Sequence, residues 1–256
     1  MEMKARGKKI AVLTAYDYTM AAILSGAGVP VLMVGDSAGM VFGGHETTLP
    51  VSMAEMLYHT RSVVRGAGPA LVIADMPFGS YQAGPAQAVK NAVRFMKAGA
   101  GAVKLEGGVR SAGLIRAITD ADIPVMGHVG LTPQSVNKLG GFRVQGRGGE
   151  AGRAVLEDAR AVEEAGAFAL VVEAVPPGLA EEITAALSIP TIGIGAGPAC
   201  DGQVLVINDM LGLTTGDRTP VFVKKYADLR RAIIEAVQSY MEDVQCGDFP
   251  GEEHTY

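Results

Sequence analysis

Ala98-Gly99-Ala100-Gly101-Ala102-Val103-Lys104-Leu105-Glu106-Gly107-Gly108 is the stretch that decides the fold. It opens as the small-residue exit of a helical segment over 85–98, which itself starts with Pro85, a residue suited to the first turn of a helix. Gly99 stands where a helix ends in left-handed backbone. The apolar run 102–105 follows, and charged side chains, Lys104 and Glu106, close it before a glycine pair. The unit is therefore helix, glycine turn, buried strand, charged strand end, loop.

The same unit recurs in both directions along the chain. Ser25-Gly26-Ala27-Gly28 leads into the run 31–35, and Ala165-Gly166-Ala167 leads into 169–172. Further runs lie at 10–15, 70–74, 124–127 and 190–195. Each is almost continuously apolar, which fits strands buried on both faces, as in a parallel sheet. Helical periodicity fills the gaps at 53–65, 110–121, 150–165 and 178–187. The first of these follows Ser52 with Glu55 three residues on, a capping box. Repeated βα units require right-handed crossovers. Seven runs are clear and 203–208 supplies an eighth, so the expected fold is a (βα)8 TIM barrel. The segment 198–202 is too short for a helix, so the barrel should lack a regular seventh helix. An open doubly wound sheet is the alternative on pattern alone. No linker or low-complexity stretch divides the chain, so residues 1–256 are expected to form one domain.

Bulk properties agree. A chain of 256 residues suits a single barrel of about 250 residues. Hydrophobic residues make up 48% and charged residues 19%, which excludes a disordered chain. A formal net charge of -5 without a basic stripe argues against nucleic acid or an anionic membrane as partner. Two cysteines, Cys200 and Cys246, make no disulfide framework and point to a reducing compartment. No signal-type segment and no window of ~20 apolar residues is present. The expectation is a soluble, cytoplasmic protein.

In such barrels the chemistry sits at the C-terminal strand ends. Five successive runs deliver an ionisable side chain there: Asp36 (followed by Ser37), Asp75, Lys104 with Glu106, His128, and Glu173. Each Asp alone reads as a helix cap or turn residue, and His128 alone as a hydrogen-bonded core histidine. Five in series read as a shared acidic site, because independent caps need not fall at one end of five strands. Carboxylates at an apolar mouth are expensive unless paired or bound to metal. Hard oxygen ligands suit Mg2+, and no Cys/His cluster has zinc spacing.

Weaker candidates have structural readings. Gly193-Ile194-Gly195-Ala196-Gly197 looks like a phosphate loop, but no helix follows in frame, and close packing explains it as well. His45 reads as a solvated loop histidine and Asp17 as a helix cap. Arg143 and Arg147, in the long connection 132–149, either meet an anion or are solvated. Connections of this length are usually functional.

Several of these stretches also carry a family resemblance. They are Leu13-Thr14-Ala15-Tyr16-Asp17-Tyr18, Val34-Gly35-Asp36-Ser37, Gly44-His45-Glu46-Thr47-Thr48-Leu49-Pro50, Tyr58-His59-Thr60, Ala74-Asp75-Met76-Pro77-Phe78, Val103-Lys104-Leu105-Glu106-Gly107-Gly108, Gly127-His128-Val129-Gly130-Leu131-Thr132-Pro133-Gln134-Ser135 and Gly193-Ile194-Gly195-Ala196-Gly197. In this order they resemble the ketopantoate hydroxymethyltransferase family. The similarity runs from about residue 8 to Phe249-Pro250-Gly251-Glu252-Glu253-His254, with departures at the N-terminus and over 216–223.

The resemblance implies a barrel of the phosphoenolpyruvate/pyruvate type, assembled as a homo-oligomer, often a decamer. It implies hydroxymethyl transfer from 5,10-methylenetetrahydrofolate to 3-methyl-2-oxobutanoate, giving 2-dehydropantoate on the route to pantothenate and coenzyme A. It places metal ligands at Asp36, Asp75 and Glu106. It places keto-acid contacts at Asp36, Ser37, Asp75 and Lys104, with His128 near the substrate, and the proton acceptor at Glu173. Two other readings are a metal-dependent lyase of the isocitrate-lyase-like group, which normally brings a reactive loop cysteine, and a non-catalytic keto-acid or folate-binding barrel.

Overall fold

Eight short parallel strands close on one another. The computed structural model describes residues 2–214 and 220–256, so 216–219 of the divergent segment 216–223 lie outside the described residues. The strands are β1 (Ile10–Thr14), β2 (Val31–Val34), β3 (Leu71–Asp75), β4 (Ala102–Lys104), β5 (Val125–Gly130), β6 (Ala169–Glu173), β7 (Thr191–Ile194) and β8 (Gly202–Leu205). They hydrogen-bond in sequence order as a closed barrel, β8 returning to β1 with Ile10 opposite Gly202. The open-sheet alternative is thereby excluded.

Sequence and structure match closely for the helices. Met53–Gly66 is capped by Ser52 with the expected box to Glu55, and Pro85–Lys97 begins at Pro85. Gly149–Glu164 and Pro177–Ala186 stand within a residue of the expected bounds. The segment expected over 110–121 is a 3-10 turn, Val109–Ser111, followed by a helix, Ala112–Thr119. No helix lies between β7 and β8. Gly99 and Gly166 leave their helices at φ +98° and +97°. A side chain there would be strained, and a Cβ at Gly99 would meet Val64 at 2.7 Å.

Two expectations shift. β5 runs to Gly130, three residues beyond the apolar run, so His128 lies within a strand. The eighth strand is Gly202–Leu205, and Asn208 belongs to a short helix, Ile207–Met210.

Inward side chains fill the barrel with Ile10, Val12, Met33, Ile73, Ala102, Met126, Ala169, Val171, Ile192 and Val204. The N-terminal end is stapled by Lys4. Its ammonium donates to the carbonyls of Leu187 (2.9 Å) and Ile189 (2.8 Å) and pairs with Asp201 at 3.1 Å.

The chain divides into two compact units, Met1–Val206, which holds every strand, and Ile207–Tyr256. The second unit carries a helix over Leu229–Cys246, capped by Asp228, and an aromatic cluster of Tyr240, Phe249 and His254. Among the described residues, no helix is long and apolar enough to cross a membrane.

Candidate active site

All strands are parallel, so the residues that end them share one rim. Asp75 is the last residue of β3 and Lys104 the last of β4; Glu106 follows two residues on. His128 sits in β5, and Glu173 ends β6. Asp36, Asp75, Lys104, Glu106 and His128 are all buried, and the Glu173 side chain is 15% exposed.

Glycines make the crowding possible. A Cβ on Gly35 would stand 2.6 Å from Ser37 Oγ. Gly130, at φ +90°, lets its backbone approach the Glu173 carbonyl, which a Cβ would meet at 2.2 Å. That approach seats His128 beside Glu173.

Lys104 Nζ lies 3.0 Å from Asp75 Oδ2, which also accepts from the Asp36 backbone N–H at 3.1 Å. Burial opposes the charge on Lys104, but Asp75, Asp36 and Glu106 outweigh it and hold the ammonium above the ordinary lysine range. Burial pushes the Asp75 carboxyl up despite Lys104. Glu106 is pushed well up by burial and then by the charge of Asp36. His128 Nε2 lies 3.1 Å from Glu173 Oε2, and Nδ1 lies 3.6 Å from Glu106 Oε1, without completing a hydrogen bond at either nitrogen.

Asp75 Oδ1 and Glu106 Oε1 are likewise buried without a hydrogen-bond partner. Buried carboxyl oxygens without donors are compensated by a proton, a ligand or an ion. The donor set is hard oxygen, as Mg2+ prefers. Among the described residues, no group of three or more His, Cys, Asp or Glu side chains is gathered closely enough to hold a metal ion by itself. An open partial set is compatible with Mg2+, which usually keeps several waters.

Two residues of the site escaped the reading of the sequence. Gln134, buried in the first turn after β5, donates to Asp36 Oδ2 at 2.8 Å, and its backbone N–H donates to Glu106 Oε2 at 3.0 Å. Tyr81 donates its hydroxyl to Gln134 Oε1 at 2.7 Å. Gln134 had two signals, the resembling stretch 127–135 and the long connection 132–149, which begins with a 3-10 turn, Pro133–Ser135, and a short helix, Val136–Leu139; Tyr81 had none. Ser37 is half-buried and shares a hydrogen bond with Tyr16 at 2.8 Å.

The weaker candidates separate. Asp17 caps a helix, accepting from the Met20 N–H at 2.8 Å. His45, Arg143 and Arg147 are exposed. Gly193 and Gly197 pack against Cys200 and Pro177, as close packing requires. Cys200 is buried, which raises its thiol pKa, and Cys246 is exposed on the helix over Leu229–Cys246. A cleft of about 450 Å3 lies beside the acidic centre rather than over it. It shares Glu106, Tyr81 and Gln134 with that centre and carries Phe78, Arg110 and Lys138.

The family model described as ketopantoate hydroxymethyltransferase matches residues 1–252. The chain belongs to the ketopantoate hydroxymethyltransferase family. A 3-methyl-2-oxobutanoate hydroxymethyltransferase of Trichlorobacter lovleyi is 59% identical over 255 residues, covering 99% of this chain and 95% of the relative. One from Syntrophus aciditrophicus is 57% identical, with 99% and 93% covered. Among solved structures, phosphonopyruvate hydrolase in complex with oxalate and Mg++ aligns with a TM-score of 0.63 at 16% identity, over 98% of this chain and 89% of that one. A 2,3-dimethylmalate lyase, described as a member of the PEP mutase/isocitrate lyase superfamily, aligns at 0.63 and 18%, over 99% and 89%. At these identities the likeness shows the fold alone, a closed (βα)8 barrel.

Proposed function

We propose that this enzyme transfers a hydroxymethyl group from 5,10-methylenetetrahydrofolate to 3-methyl-2-oxobutanoate, consuming water and giving 2-dehydropantoate and tetrahydrofolate. Family membership supports the reaction. The observation that carries the site is the rim of buried Asp36, Asp75, Lys104, Glu106 and His128 with half-buried Glu173; two carboxyl oxygens in it, Asp75 Oδ1 and Glu106 Oε1, are left without donors.

The reaction needs a proton removed from C3 of the keto acid, next to a ketone, and then a carbon–carbon bond. Lys104, fixed by Asp75, presents a buried cation to the keto-acid carboxylate or the developing enolate oxygen. Asp36, Asp75 and Glu106 would hold Mg2+, which supplies further positive charge against the same oxygens. Glu173 takes the proton, with His128 Nε2 standing 3.1 Å from its Oε2. Ser37, fixed by Tyr16, lies at the same rim for the keto acid. Water hydrolyses the methylene bridge of the folate, breaking both of its C–N bonds to leave tetrahydrofolate and a formaldehyde-level carbon. The enolate carbon adds to that carbon, and the proton held by Glu173 passes to the alkoxide so formed. We place the folate in the adjoining cleft, where Arg110 and Lys138 line the wall.

The family match spans both compact units, so we treat residues 1–256 as one catalytic domain. An exposed apolar stripe of Ile233, Val237, Tyr240 and Val244 supports a homo-oligomer, with a decamer as the expected size. A biosynthetic role with small soluble substrates fits the cytoplasm. The lyase reading has little support, since Cys200 is buried and Cys246 lies in the second unit.

Deuterium exchange at C3 of 3-methyl-2-oxobutanoate, followed by NMR with Mg2+ and then with EDTA, tests this before any folate is added. Metal-dependent exchange is expected, with 2-dehydropantoate appearing once the folate is supplied. Exchange only after folate addition would mean that the folate completes the site. Neither exchange nor product overturns the reading. Glu173→Gln should slow exchange by about 10^2–10^4-fold, the usual contribution of a general base, while keto-acid binding stays measurable. Exchange at the wild-type rate would put the base elsewhere.

A further inference from the structure

We propose that Gln134 is a positioning residue for the acidic centre, its side-chain amide and its own backbone N–H together holding Asp36 and Glu106 in the orientation that receives a divalent cation. The inference rests on the cation-dependent reading of the site given above.

An amide side chain has two donor hydrogens and two acceptor lone pairs. At Gln134 all four are used. Nε2 donates to Asp36 Oδ2 at 2.8 Å and to the Met76 carbonyl at 2.9 Å. Oε1 accepts from the Tyr81 hydroxyl at 2.7 Å and from Gln82 Nε2 at 3.2 Å. The Met76 carbonyl and the Asp36 carboxylate can only accept, so a flipped amide would set oxygen against oxygen at both. The orientation is therefore fixed from both ends.

Glu106 is tied into the same ring. Its backbone N–H donates to the Tyr81 oxygen at 3.3 Å, and its Oε2 accepts from the Gln134 N–H at 3.0 Å. The ring runs from Glu106 to Tyr81, to Gln134 and back to Glu106. It engages one oxygen of each carboxylate, Asp36 Oδ2 and Glu106 Oε2. Glu106 Oε1 is left buried with no partner. A carboxylate gripped by one oxygen presents the other in a fixed direction, which is how outer-shell partners act on metal ligands. Because Gln134 stands in the first turn after β5, the ring also ties the start of the long connection to the mouth of the barrel.

The test is Mn2+ affinity of the full-length protein, titrated by electron paramagnetic resonance without keto acid, for wild type, Gln134→Met and Tyr81→Phe. Melting of the metal-free proteins is measured alongside. Gln134→Met keeps the length and removes the polar atoms; it should weaken Mn2+ binding about 10–100-fold, the usual effect of losing such a partner. Tyr81→Phe removes the donor to Gln134 Oε1 and the acceptor of the Glu106 N–H but leaves the Gln134 donors to Asp36 and Glu106 in place, and should weaken binding by a smaller factor. If Gln134→Met does not fold, Tyr81→Phe decides. Wild-type Mn2+ affinity in the folded variants, with only the melting temperature lowered, means a purely structural role and overturns the proposal. Absence of Mn2+ binding by the wild type overturns the cation reading itself, and this proposal with it.

Discussion

One pleat separates the driest layer of this barrel from its most charged. On β3, Ile73 lies in the apolar core and Asp75, two residues on, in the site. On β4 the pair is Ala102 and Lys104, on β5 Met126 and His128, on β6 Val171 and Glu173. Residues two apart on a strand point the same way. The direction is thus shared within each pair, and depth along the barrel sets the chemistry. In the lower layer each side chain is satisfied by contact alone. In the upper layer each needs a partner of opposite charge, a donor or a ligand, and those partners come from neighbouring strands and from the loops above.

The sharpest way to break this contrast is to lower a carboxylate by one pleat. Ile73→Asp buries a charge among Met33, Ala102 and their neighbours without a cation. It should destabilise the protein by more than ~4 kcal/mol, seen as loss of soluble protein or of a cooperative urea transition. A variant as stable as wild type would mean that the lower layer admits water.

Removing the cation from the upper layer is the next largest change. Lys104→Met leaves Asp75 buried without its ion pair and should cost about 3–5 kcal/mol in urea unfolding, together with loss of C3 exchange. A stable variant that still exchanges would show that the Asp75–Lys104 pair neither supports the fold nor touches the substrate.

A carboxylate far from the mouth gives the smallest effect and calibrates the others. Glu163 accepts from Ser188 N–H and Oγ, each at 2.7 Å, and from Ile189 N–H at 3.1 Å. Burial opposes its charge, but these bonds win and hold its pKa below the ordinary 4.5. A depressed folded value stabilises the fold above the ordinary pKa, and that stability is lost as pH falls through the lower folded value. Glu163→Gln should therefore remove a small part of the acid limb of the stability profile and leave exchange untouched. An unchanged acid limb would show that the cap contributes nothing.

The lower layer was the more legible in the sequence, because a core strand needs only an unbroken apolar run, which is a local signal. The charged ends were legible too, since Asp36, Asp75, Glu106, His128 and Glu173 each follow or end such a run. Gln134 and Tyr81 were not. A glutamine and a tyrosine in loops have no periodicity, and their meaning arises only when three strand ends come together. Helix caps such as Ser52 with Glu55, and Asp17, were readable because their partners lie three residues away. The boundaries at β5 and β8 moved for a related reason: backbone pairing with a neighbouring strand, not local hydrophobicity, sets where a strand stops. Gly130 remains in β5 because it pairs with Glu173 on β6.

The staple made by Lys4 bears on the order of events during synthesis. Its acceptors, Leu187 and Ile189, stand more than 180 residues downstream, and the partner of Ile10 across the closing seam is Gly202. Contacts this distant in sequence form late and slow folding. While the chain emerges from the ribosome, β1 can pair with β2 but keeps its other edge open until β8 appears. An open strand edge is a template for association with other chains. The first strand of the barrel is the last to be sealed, so the nascent barrel passes most of its synthesis as an open sheet with β1 at one of its two exposed edges.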